Sequence, residues 1–163
     1  MFGKTLQIGV AVGLAAITLF VGWGAIDAQH AARRHLAAAD VIVVTNWRSH
    51  SSSQNYAMEI HRGGEIVFTG GPEVLLPGEH RLLVPAQKTE ELFRQLEASS
   101  FLGMKPLYKG WVSPTNRSKL CVRGVGFERC VEAATNPIFN TTNEPKQFDE
   151  LVGAAYALSL IHI

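Results

Sequence analysis

Cys121 and Cys130 are the residues of this 163-residue chain whose type and spacing speak most directly of chemistry. A thiol can join a disulfide, attack as a nucleophile or ligate a metal. Nucleophilic attack needs a base, and no histidine lies near either cysteine in sequence. Structural zinc needs four ligands, and neither cysteine belongs to a Cys-x-x-Cys pair. The flanking residues favour the disulfide. If Val125 and Gly126 form a two-residue loop, Arg123 faces Glu128, Cys121 faces Cys130 and Lys119 faces Glu132. One register thus yields two opposite-charge pairs and a cysteine pair. Counting outward from the loop, the cysteines fall at a non-hydrogen-bonded pair, where side chains lie closest and a disulfide can close. In an exported domain the bond is expected; in a cytoplasm the thiols would stay reduced.

The remaining candidates converge less. His50, His61 and His80 sit in three segments without metal-ligand spacing, so the expectation is no metal site. His50 is followed by Ser51, Ser52 and Ser53, and Asp40 or Glu59 could complete a triad on paper, yet there is no Gly-x-Ser-x-Gly elbow. Gly63-Gly64 and Gly70-Gly71 are turn glycines outside any phosphate-cradling motif. No catalytic residue and no cofactor is therefore assigned. The alternative is a hydrolase-like site on loops 49–55 and 108–116, using His50, Tyr56, Tyr108 or Trp111.

The elements that must position these groups describe a small α+β domain with an antiparallel sheet and two helices packed on it. Val41 to Thr45 is a dense β-branched run, a buried strand. Tyr56 to His61 and Glu65 to Thr69 alternate around Arg62-Gly63-Gly64 and form a hairpin. Pro77-Gly78 turns into a short strand at Arg81 to Val84. Pro85 suits the first position of a helix over Ala86 to Ala98, with Leu92, Phe93 and Leu96 on one stripe. Pro106, Gly110 and Pro114 mark a connection. The cysteine hairpin spans Ser118 to Arg123 and Phe127 to Glu132, its other face carrying Leu120, Val122 and Val131. Pro145 opens a final helix with Phe148 and Leu151 on its apolar face.

Ahead of this domain, Leu6 to Ile26 carries no charge and only Gln7 and Thr18 as polar residues. Such a run is long enough to cross a bilayer, where about 20 residues are needed. A secretory signal core is usually only about 7–15 residues, and no clean cleavage site follows the run. An uncleaved transmembrane anchor is the reading adopted; secretion after signal cleavage is the alternative. Lys4 before the run and Arg33 and Arg34 after it leave orientation undecided by charge. Gly9 and Gly13 fit a small-residue pattern of helix approach. Residues 1–39 are thus read as anchor and alanine-rich stalk, and 40–157 as the domain. The last six residues, Leu158 to Ile163, read back as CTG-TCT-CTT-ATA-CAC-ATC, the mosaic end of a transposase sequencing adapter. They are expected to be a processing scar, with the natural chain continuing past Ala157.

From Leu36 to Ala157 there are twelve Lys and Arg against thirteen Asp and Glu, which gives no basic footprint for nucleic acid. The stretch Ser49 to Tyr56 aligns with a Cys-x-Gly-x-Cys-Pro-x-Tyr motif through Tyr56 alone; serines stand at both cysteine positions. Ile60, Gly64, Val67, Phe68 and Gly70 follow at the spacing that goes with the motif. By these positions, and by the order of the elements after them, the chain resembles a bacterial family of uncharacterised small domains, often exported and lipid-anchored. The resemblance implies the same order of strands and helices in a bacterial envelope protein. It brings no activity, and the missing motif cysteines weaken any redox role copied from it. The expectation is a membrane-tethered, extracytoplasmic interaction or envelope-accessory domain in the bacterial inner membrane, facing the periplasm or exterior. Its expected partners are the membrane and another envelope protein.

Overall fold

The β-branched run at 41–44 calls for a strand covered on both sides by neighbours, and that is where the chain puts it. In the computed structural model, β1 (Ala39–Arg48) is the central strand of a seven-stranded sheet. The structure describes residues 30–31, 33–48, 55–72, 74–110, 115–135 and 145–160. The 6–26 run lies outside them, as do His50, Ser49 to Gln54, Trp111 and residues 136–144. Among the described residues no helix is long and apolar enough to cross a membrane. The chain divides into two units, Met1–Arg34 and His35–Ile163; the sheet belongs to the second.

A helix ending at residue 37 (α1) leads into β1. Then come β2 (Tyr56–His61), β3 (Glu65–Gly70), β4 (Gly78–Leu83), α2 (Ala86–Ala98), β5 (Leu107–Lys109), β6 (Asn116–Gly124), β7 (Phe127–Thr135) and α3 (Lys146–Leu160). The strands lie in the order β4-β3-β2-β1-β6-β7-β5. All neighbours are antiparallel except β5 and β7, which run parallel.

The sheet is therefore mixed, and the expectation of a wholly antiparallel one is corrected. The extra strand lies inside the stretch read as a connection. Three residues between Pro106 and Gly110 are too few to display an alternating pattern. What holds β5 comes from outside its sequence. The Glu132 amide donates to the Pro106 carbonyl at 3.0 Å, and the Arg129 guanidinium donates to the Met104 carbonyl. The Tyr108 hydroxyl accepts the Lys105 amide at 2.9 Å. Strand β4 also starts earlier than its apolar residues announce, at Gly78 rather than Arg81.

One face of the sheet carries the core. Ile42, Val44, Met58, Ile60, Ile66, Leu120, Val122, Val131 and Ala133 point to the same side by strand alternation and are buried there. Against them lie Leu92, Phe93 and Leu96 of α2, and Phe148, Leu151, Val152, Ala155 and Leu158 of α3. Leu36 of α1 and Ala39 belong to the same core. The two long helices are tied by Gln147, whose side-chain oxygen accepts from the Ser100 hydroxyl at 2.6 Å and the Ser100 amide at 3.2 Å.

The β2–β3 turn is locked by two residues. Gly64 has φ +99°, and a Cβ there would stand 2.4 Å from the Val84 carbonyl oxygen, so only glycine fits. Arg62 beside it lies over the Phe93 ring at 4.2 Å. Its guanidinium donates to Glu90 at 2.7 Å, Glu97 at 3.0 Å, and the Ala39 and Ala37 carbonyls at 2.9 and 3.3 Å. Thr89, the one buried polar side chain of α2, donates its hydroxyl to the Arg62 carbonyl at 2.7 Å. One turn thereby binds the start of β1 to α2.

Candidate functional site

The side of the sheet away from the helices carries the cysteine pair. Hairpin β6–β7 has the register read from the sequence: Arg123 opposite Glu128, Cys121 opposite Cys130 and Lys119 opposite Glu132, with Val125 and Gly126 in the loop. The two sulfurs lie at disulfide-bonding distance, 2.10 Å, and the Cα atoms are 4.0 Å apart. Leu120, Val122 and Val131 face the core, as expected. Cys121 is buried on the opposite side, with Val43 of β1 as its neighbour in the ladder.

Around this apolar centre the face is charged and internally paired. Arg123 donates to Glu128 at 2.7 Å and lies 3.8 Å from Glu59 of β2. Arg117 lies 3.6 Å from Glu132 and 5.7 Å from the centre of the half-exposed Trp47 ring. Arg81 of β4 donates to Glu65 at 2.9 Å and Glu79 at 3.1 Å. Its pKa is raised above the ordinary value, chiefly by the hydrogen bond to Glu65 and then by that to Glu79. The twist of β2, β3 and β4 leaves a shallow concavity of about 340 Å³ here, lined by Ala57, Glu59, Val67 and Thr69 among others. It can receive a polar surface, with Glu59, His61, Glu65, Glu79 and Arg81 as the ionisable groups of its lining.

Among the described residues, the other sequence candidates do not meet. His61 lines the concavity, whereas His80 sits on the helix side of β4 with Nε2 2.9 Å from the Pro77 carbonyl. His50 lies outside the described residues. Among the described residues, the one group with metal-ligand spacing is Cys121, Glu128 and Cys130. With both sulfurs in a disulfide, neither is the thiolate that a metal requires. Tyr56 packs between Phe68 and Tyr156, with ring centres at 5.6 and 5.3 Å. Tyr108 lies four strands away on β5, about 19 Å at the usual strand spacing. The two tyrosines offered for loops 49–55 and 108–116 are thus held apart, and Trp111 lies outside the described residues.

Sequence reasoning passed over Arg62 and the β4 edge. A signal for the first existed: Glu90, Phe93 and Glu97 recur at helical spacing, an aromatic between two carboxylates that suits a guanidinium. Neither a protein-family model nor a curated protein matches the chain.

Proposed function

We propose that this chain is a membrane-tethered, extracytoplasmic interaction domain of a bacterial envelope, docking other envelope components through the open face of its sheet. The observation that carries the reading is that asymmetry. Among the described residues, helices close one face, and the other presents paired charges around Val43 and the cysteine pair. A cysteine pair at bonding distance suits an oxidising compartment. The uncharged run from Leu6 to Ile26 supports the tether, and the resemblance through Tyr56, Gly64 and Gly70 supports the bacterial setting.

Fractionation of cells expressing the full chain tests the tether. The product is expected in the membrane pellet, resistant to carbonate and released by detergent. Recovery in the aqueous fraction with its first thirty residues intact would sink the reading. Thiol trapping tests the compartment: Cys121 and Cys130 should accept maleimide only after reduction. A photo-crosslinking side chain at Val67, on the open face, should capture envelope components that the same group at Gln95, exposed on α2, does not. Equal capture at both positions would remove the open face from the docking role.

A further inference from the structure

The geometry points to β4 as a self-pairing edge, along which two copies of this chain join their sheets about a two-fold axis. The inference does not depend on the tether or on the compartment.

The two edges of the sheet are unequal. At one end β5 offers three residues; at the other β4 offers six, with no proline among them. A long edge without proline or bulge is a template for another strand. Which backbone groups it offers follows from the ladder. Val84 donates to the Gly64 carbonyl at 2.9 Å, and the register pairs Leu82 with Ile66 and His80 with Phe68. Alternation then points the backbone groups of Leu82, His80 and Gly78 inward to β3, and those of Glu79, Arg81 and Leu83 outward.

These outward residues select the occupant. Pair β4 with a second β4, antiparallel, about His80. Glu79 of each copy then faces Arg81 of the other, both at hydrogen-bonded positions. Opposite charges meet twice across one seam, and each extends the Glu65–Arg81–Glu79 network already present within each copy. Centring the axis on Arg81 would set two guanidinium groups face to face, which disfavours that register. The chosen register also places Leu83 beside Pro77 of the other copy, whose missing N–H confines full backbone pairing to the two Glu79–Arg81 positions. Leu83 is 84% exposed, a large apolar side chain that this edge leaves to water. A two-fold of this kind is normal to the sheet, so both open faces end on one side and become continuous. The seam is short, which makes the pairing weak and concentration-dependent.

The test uses the full chain in detergent micelles. His80→Cys places two thiols at a non-hydrogen-bonded pair across the axis, so mild oxidation should give a doubled band that reduction abolishes. Arg81→Cys and Leu82→Cys, which report neighbouring registers, should give far less. Glu79→Arg or Arg81→Glu alone should weaken dimerisation about tenfold by sedimentation, since like charges then meet twice. The double exchange E79R/R81E should restore it, although the contact with Glu65 within the chain remains lost. That recovery separates a contact between copies from simple loss of fold. A His80→Cys chain that stays monomeric on oxidation while keeping its native circular dichroism overturns the inference. So does a dimer indifferent to both charge reversals, or crosslinking in cells only to a protein of another mass.

Discussion

Arg62 shows how one side chain can decide where a helix sits. Its planar fork reaches two carboxylates of α2 and the carbonyls of Ala37 and Ala39 at the start of β1 while its face covers Phe93. A lysine ammonium has the charge but neither the fork nor the stacking plane. Arg62→Lys is therefore expected to lower unfolding free energy by about 1.5–3 kcal/mol in a urea titration, the range for hydrogen bonds to charged groups. Glu90→Gln, at the half-exposed end of the network, should cost less than about 1 kcal/mol. An Arg62→Lys protein as stable as the parent would show that positive charge at this position, without fork or stacking plane, is enough to hold the turn. The sequence displayed the turn through Gly63 and Gly64, but the arginine's partners are 23 to 35 residues away. Local pattern cannot reach that far.

At the level of single elements, the sequence was legible wherever period and turn chemistry agreed. The β6–β7 register followed from the loop and three facing pairs, and α2 has the bounds its apolar stripe and Pro85 set. Strand β5 was not legible, because its three residues are placed by Arg129 and Glu132 of β7 rather than by any alternation of their own. The cysteine pair closes a loop within one hairpin, at a sequence separation of 9. Chain-entropy reasoning gives such a short loop about 2–3 kcal/mol of stabilisation. Replacing Cys121 and Cys130 together by alanine should lower stability by roughly that amount in a denaturant titration. Leu120, Val122 and Val131 would still hold the hairpin on the core, so the far-ultraviolet circular dichroism should stay native. Loss of the folded spectrum would mean that the bond, and not the apolar face, fixes the register.

For the whole molecule, the architecture was readable and the site was not, and the reason is physical. A fold is set by repeated apolar spacing along β1, α2 and α3, which any window of the chain reveals. An open face or a free edge exists only once the whole sheet is assembled, which here joins β1 to β6 and leaves β4 and β5 at opposite ends. The β5 end should also come undone more readily than the centre. Native-state hydrogen exchange is expected to show the Glu132 amide, held by the Pro106 carbonyl, opening at a lower free energy than the Ile42 and Val44 amides of β1. If all three exchange only by global unfolding, β5 is as firmly placed as the centre.

The brevity of β5 carries one more consequence. Pairing about a two-fold through β4 consumes both copies' edges and stops by itself. Should β5 peel away, β7 would lie bare at the far end, nine residues long and without proline. Each pair would then own two sticky flanks, and growth would have no reason to halt. Three residues, Leu107 to Lys109, are the stopper that keeps a finite couple from becoming a ribbon.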